Sequence, residues 1–380
     1  MTLFAPNKLI LNLGIVFLLT ICIHLPSTAQ DAMPLGIELN VMGGQLFKHT
    51  KNFRGPIPPF SGGMELNFIW KSNGRRAWQQ RRHYPSFGIG TAFNFYDRYY
   101  YGQSIGIYPM LELPILKRNH WDWTIRFGMG LGYVNKHYRD YPPYWDTVNN
   151  AMGAAINNFS LLSSDLRYTI NNKLQLQAGI TFSHMSSGKF KLPNLGINFI
   201  GGHIGCRYYP NTWDKPLIKT SLSPLKQRFL VQAKQGFGMS TGESIGSANT
   251  PVIASSVALS RRYWSHNKIW LGLDYAYHQS VYDFQRLQAI HPGDEKKYSW
   301  NLGLFVGHEF LFGRCGLNIQ LGTYLHQTIL PKAPIYQRYG MNWYLLQAEK
   351  GWIKEWYMGT FLKTHFATAE YAELSMGFGF

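Results

Sequence analysis

Acidic side chains are scarce in this sequence. Asp plus Glu number 20 against 37 Lys plus Arg, and the formal charge is +17. Charged residues of either sign make up 15% of the chain, fewer than the 16% that are aromatic. Disordered chains carry the opposite bias, so disorder is excluded. Long apolar runs are also lacking, apart from one between Lys8 and Pro26. A bundle of membrane-spanning helices needs about 20 apolar residues per helix and is excluded. Cysteine is nearly absent, with Cys22, Cys206 and Cys315 the complete set. Neither C-x-x-C nor H-E-x-x-H occurs, so nothing argues for a zinc site, and no metal or cofactor is expected. What is abundant is Gly (38), Tyr (24), Phe (24) and Trp (12), a composition that points to a β-rich chain.

The amino terminus carries an address. Leu13 to Ile23 has the length of a signal-peptide core and is too short to span a bilayer. Ser27-Thr28-Ala29 places small residues before a cleavage point after Ala29, so residues 1–29 are read as a signal peptide. Ile21 before Cys22 is not small, which disfavours a lipidated cysteine. Cys206 and Cys315 then remain, on strands read as far apart, and are expected as two unpaired thiols.

The body of the chain alternates with period two. Trp121, Trp123, Ile125, Phe127, Met129, Leu131 and Tyr133 share one face, opposed by Asp122, Thr124, Arg126, Gly128, Gly130 and Gly132. Successive side chains of a strand point to opposite faces, so one face is apolar and the other polar or small. The pattern recurs from Met64 to Trp70, from Ile269 to His278, from Leu317 to Leu325 and from Glu373 to Phe380. A soluble sandwich would bury the apolar face, whereas an outer-membrane barrel shows it to lipid. Trp and Tyr near strand ends, and opposite faces of Gly, Ser, Asn and Gln, favour the barrel. The terminal Phe380 resembles the insertion signal of bacterial outer-membrane proteins, making the barrel assembly machinery an expected partner.

The expected fold is therefore an all-β, antiparallel outer-membrane barrel with an even strand number, 14 or 16. Sixteen segments are read, from 35–43 to 369–380. Residues 30–380 are expected to form a single barrel, with 210–380 completing a wall begun by 30–209. Segments 139–156 and 281–296 read as surface loops, and 210–225 as a long turn.

One strand, 173–185, carries chemistry. Leu174, Leu176, Ala178, Ile180 and Phe182 form its apolar face, and parity sends His184 and Ser186 to that same side. The two lie about 6.6 Å apart along a strand, within reach of a ring-to-hydroxyl hydrogen bond. Asn198 falls on the outward face of the next strand. With both termini periplasmic, the seventh strand runs outward. Ten residues, Leu174 to Ser183, suffice to cross the hydrocarbon, placing His184 and Ser186 at the outer-leaflet boundary.

The run His184-Met-Ser186-Ser187-Gly188-Lys189-Phe-Lys191-Leu-Pro193-Asn194-Leu-Gly196-Ile-Asn198 resembles the signature of lipid A 3-O-deacylases of Gram-negative outer membranes. Gln337 to Gly340 and Lys363 to Glu370 are similar to stretches of longer members from Bacteroidetes-type bacteria. The resemblance implies a serine esterase on the outside of the wall. Ser186 would be nucleophile, His184 general base and Asn198 the third member. Ser187, Gly188, Lys189, Lys191 and Asn194 would bind substrate or the oxyanion. It also implies lipid A or lipopolysaccharide of the outer leaflet, among other outer-membrane lipids, as partner. Three positions depart from the family pattern: Ser187 replaces an Asn, Lys189 a Gly, and Asn198 an acidic residue. Lys189 and Lys191 are expected to orient anionic headgroups.

Other motifs carry less. Gly102 to Gly106 and Gly242 to Gly246 both satisfy G-x-S-x-G, but neither precedes a helical period. Arg75, Arg76, Arg81, Arg82 and His83 fall in a periplasmic turn, so a solvated loop is expected and nucleic acid is not. His203 and His365 read as wall or rim residues. The alternative to an enzyme is a channel or structural barrel with a degenerate site, although Phe305 and Arg126 could plug its lumen.

Overall fold

The computed structural model describes residues 33–380 apart from 142–143, 212–215, 223–227, 243–244, 265 and 367. The expected signal peptide and Glu243 and Ser244 of the second G-x-S-x-G lie outside the described residues. Eight strands form one closed barrel: β1 Leu35–Leu46, β2 Ser61–Lys71, β3 Ser86–Phe95, β4 Gln103–Arg118, β5 Trp121–Val134, β8 Ile156–Thr169, β9 Leu174–Ser186 and β10 Ile197–Tyr208. Between β5 and β8, β6 Arg139–Tyr141 and β7 Tyr144–Asp146 pair as a small hairpin within the long loop expected there. Eight more strands form a second closed barrel: β11 Phe229–Thr241, β12 Asn249–Tyr263, β13 Asn267–His278, β14 Trp300–Phe312, β15 Cys315–His326, β16 Ile335–Gln347, β17 Glu355–His365 and β18 Thr368–Gly379.

The all-β antiparallel class and the even strand number stand, but the single wall does not. β1 closes antiparallel on β10, with Ile37 opposite Tyr208 and Leu46 opposite Phe199. β11 closes on β18, with Gln232 opposite Gly379. Once β1 and β10 have used their edges on each other, 210–380 has no edge left to extend and closes on itself. Alternation reports which face a residue occupies and says nothing about which strands meet at the seam. Segment 281–296 is also corrected. It contains a helix, Gln279–Leu287, which buries Val281 and Gln285 one turn apart.

Exposure decides between barrel and sandwich. Val41 is 54% exposed, Ile180 62%, Phe237 66% and Ile204 69%. Charged residues are buried instead: Glu38, Glu65, Glu112, Arg126, Asp165, Arg167 and Arg207 point into the first barrel, alongside aromatic and aliphatic side chains such as Tyr108 and Phe159. An inside-out distribution of this kind suits hydrocarbon outside and a packed polar lumen. An eight-stranded barrel has room for side chains alone, and here they fill it. Arg126 lies 2.9 Å from Glu38, 3.4 Å from Glu65 and 3.3 Å from Asp165. Arg167 and Arg207 both reach Glu112, at 2.9 and 2.6 Å. His203 sits 2.8 Å from Asp165, and Tyr108 stacks on Phe159 above the network. The second lumen repeats the scheme. Arg338 pairs with Asp274 at 2.8 Å, Lys234 with Glu373 at 2.9 Å and Lys268 with Glu355 at 2.7 Å, while Phe305 is buried beside them.

The barrels are clasped at both ends. In the β2–β3 turn, Arg82 donates from Nε to the Leu311 carbonyl at 3.2 Å and from Nη2 to Asn267 Oδ1 at 3.0 Å. Its guanidinium also lies 4.6 Å above the Phe312 ring. The solvated loop expected here is thus an interdomain contact. Burial lowers the Arg82 pKa to about 10, still far above neutrality, so the clasp stays charged. At the opposite end, Thr241 donates to the Lys189 carbonyl, from N at 3.1 Å and from Oγ1 at 2.8 Å. Cys206 and Cys315 are free thiols on different barrels.

Candidate active site

The site grows from strand parity and register. Along β9, Gln175, Gln177, Thr181 and Ser183 are buried toward the lumen, so the alternate positions, including His184 and Ser186, face outward. Register places Asn198 of β10 directly opposite His184. His184 Nε2 lies 3.0 Å from Ser186 Oγ, and His184 Nδ1 lies 2.7 Å from Asn198 Oδ1. The amide oxygen can only accept, so Nδ1 carries the proton and Nε2 is left to accept from the serine hydroxyl. Ser186 and Asn198 are 8% and 6% exposed. The hydroxyl and ring are therefore held on the outside of the wall, shielded yet outside the lumen.

Asn198 has a second partner. Its Nδ2 lies 2.9 Å from Nδ1 of His49, in the segment that follows β1. Burial lowers the pKa of His49 below the ordinary histidine value, favouring the neutral ring that can accept this bond. The sequence offered no local signal for His49, because its contact spans 149 residues.

The loop after Ser186 is built by its own polar groups. Ser187 donates its backbone N–H to Asn194 Oδ1 at 2.7 Å. The Ser187 hydroxyl donates to the Lys191 carbonyl at 3.0 Å and accepts from the Lys191 N–H at 3.3 Å. Ser187 and Asn194 are thus engaged in shaping the loop, with the Ser187 N–H donated to Asn194. Gly188 turns the chain at φ +61° and approaches Leu362 of β17. Lys189 is buried, its carbonyl taken by Thr241, so the two lysines divide. Lys191 alone is exposed, and with Arg139 it electrostatically depresses the His137 pKa, after burial as the larger cause.

Gly196 closes the loop at φ +77°, in the left-handed region that favours glycine. A Cβ there would sit 2.7 Å from His184 Cε1. Gly196→Ala is expected to cost about 1–2 kcal/mol of stability from backbone strain. It should also push the ring off the hydroxyl, lowering kcat by roughly tenfold or more. Thermal unfolding in detergent and ester-hydrolysis rates measured together check both effects.

The other motif residues lie elsewhere. Ser104 of the first G-x-S-x-G is buried within β4 and contacts Asn94 and Tyr96 at 3.2 and 2.9 Å. It has no strand-to-helix elbow around it. His365 is buried, 2.8 Å from the Tyr324 hydroxyl.

Two family models match this chain. Lipid A 3-O-deacylase (PagL) covers residues 62–207, and the acyloxyacyl hydrolase C-terminal domain covers 230–380. The chain belongs to the PagL family. The two matched stretches fall one on each barrel, the first containing His184, Ser186 and Asn198. Among solved structures, one described as the outer membrane enzyme PagL is 14% identical, with a TM-score of 0.30 over 45% of this chain and 97% of that one. A mutant porin of Rh. blastica is 8% identical, with a TM-score of 0.18 over 92% of this chain and 100% of that one. No curated protein matches. This PagL-family member is an outer-membrane β-barrel protein.

Proposed function

We propose that this chain is a serine esterase that removes an ester-linked acyl chain from lipid A in the outer leaflet. The observation that carries the reading is the hydrogen-bonded series Ser186 Oγ, His184 Nε2, His184 Nδ1, Asn198 Oδ1 on the outward face of the wall. Ser186 attacks the ester carbonyl while its proton passes to His184 Nε2. The tetrahedral intermediate collapses, the C–O bond breaks, and His184 returns the proton to the departing sugar oxygen. Water then attacks the acyl-enzyme by the same route, releasing the fatty acid. Asn198 holds the ring tautomer without adding a negative charge. The Gly188 N–H is the candidate oxyanion donor, since the Ser187 N–H is held by Asn194. Lys191, with Arg139 near it, faces the anionic headgroups.

Under this reading, residues 1–29 are a signal peptide removed on export in a Gram-negative cell. The 30–209 portion carries the site and barrel assembly machinery inserts both barrels. The filled lumens weigh against the channel alternative. Mass spectrometry of lipid A from cells expressing the native protein is expected to show loss of one acyl chain. Cells expressing Ser186→Ala should retain the full complement. Identical spectra, with ion conductance in planar bilayers, would overturn the esterase reading.

A further inference from the structure

We infer that His49 is a positioning residue that sets the tautomer of His184 through the Asn198 side chain. The inference rests on the esterase reading and extends the site to a fourth member, from the segment that follows β1. The argument is one of hydrogen-bond direction. A carboxylate in place of Asn198 would present two equivalent acceptors and would need no orientation. An amide has one accepting and one donating end, and the two are nearly the same size. If Asn198 turned over, its NH2 would face His184 Nδ1. The ring would then have to carry its proton on Nε2 and could not accept from Ser186.

Something must therefore favour one orientation of the amide. His49 Nδ1, 2.9 Å from Asn198 Nδ2, supplies the acceptor that the NH2 end requires. The backbone helps to hold His49 there, because Phe47 donates its N–H to the Asn198 carbonyl at 3.1 Å. The chain of bonds is then consistent in one direction: Asn198 donates to His49, His184 donates to Asn198, and Ser186 donates to His184.

Protonation of His49 reverses its part. The imidazolium presents N–H at both ring nitrogens and faces the Asn198 NH2 donor to donor. The relieved arrangement turns the amide and moves the His184 proton to Nε2. Among the described residues, charged and titratable groups near His49 come from three elements. Its own segment carries Lys48 and Lys51, β10 presents the neutral Asn198, and β9 presents His184, whose ring feels the charge of His49. Loss of activity toward acid pH thus reports two coupled imidazoles. Burial, which keeps His49 neutral to lower pH, widens the working range.

The test compares full-length native protein with His49→Phe and His49→Gln, using purified lipid A in detergent. His49→Phe removes the acceptor, and kcat is expected to fall about tenfold with KM little changed. His49→Gln restores a carbonyl acceptor that does not titrate, so kcat at neutral pH should return to within about threefold of native. Its acid limb should be shallower than native, with one ionising group fewer. Barrel folding, read by heat-dependent gel migration, monitors both variants. If both fold and His49→Phe matches native kcat at every pH, or His49→Gln loses as much as His49→Phe with an unchanged acid limb, the positioning role is overturned. Absence of turnover in the native protein itself would instead remove the esterase reading on which it stands.

Discussion

Ser186→Ala is expected to lower ester turnover by roughly 10³-fold or more while leaving both barrels folded. The hydroxyl makes one contact of consequence, the 3.0 Å bond to His184 Nε2. Its removal therefore costs little stability, on the order of 1 kcal/mol or less. His184→Ala should reduce turnover to a similar extent, since an alcohol without a base is a weak nucleophile. The double substitution should be no worse than the more damaging single one, because the two groups act as a unit. Purified native, single and double variants assayed on an ester substrate, with unfolding followed in parallel, decide the matter. Additive losses would mean that the serine and histidine do not work together.

Arg126→Met is expected to be the most destabilising single change in the first barrel, by about 3–5 kcal/mol. Arg126 is fully buried and faces three carboxylates, Glu38, Glu65 and Asp165. Met fills comparable space but leaves those carboxylates with one cation fewer in a lumen that water does not freely enter. Asp165→Asn added to Arg126→Met should recover part of the loss by removing one of the uncompensated charges. Denaturant unfolding in detergent measures both. A near-native midpoint for Arg126→Met would mean that the network contributes little to the fold.

The outward projection of His184 and Ser186 was legible because it needs only parity. Apolar residues at 174, 176, 180 and 182 fix the face, and 184 and 186 inherit it. The placement of Asn198 was legible for the same reason, one strand further on. Parity was silent where a contact depends on the end of a chain segment or on a partner far away. The family resemblance implies substrate roles for Ser187 and Lys189, and parity adds nothing about their partners. In the structure, Ser187 bonds within the loop to Asn194 and Lys191, and Lys189 is buried with its carbonyl bonded to Thr241 of the second barrel. The basic run around Arg82 suggests a solvated turn, yet Arg82 donates to Leu311 and Asn267 across the interdomain contact.

The sequence by itself determined that the chain is a β-wall with one apolar and one polar face, and that a histidine and a serine lie on the apolar side. Both follow from a two-residue period, a property of the local backbone. Only the tertiary structure decided that sixteen strands close as two barrels, because closure depends on which edges meet, and alternation is blind to edges. It also decided that His49 touches Asn198 and that the second barrel grips the loop behind the serine. Those contacts join segments tens to more than a hundred residues apart, and a hydrogen bond registers distance in space, not along the chain.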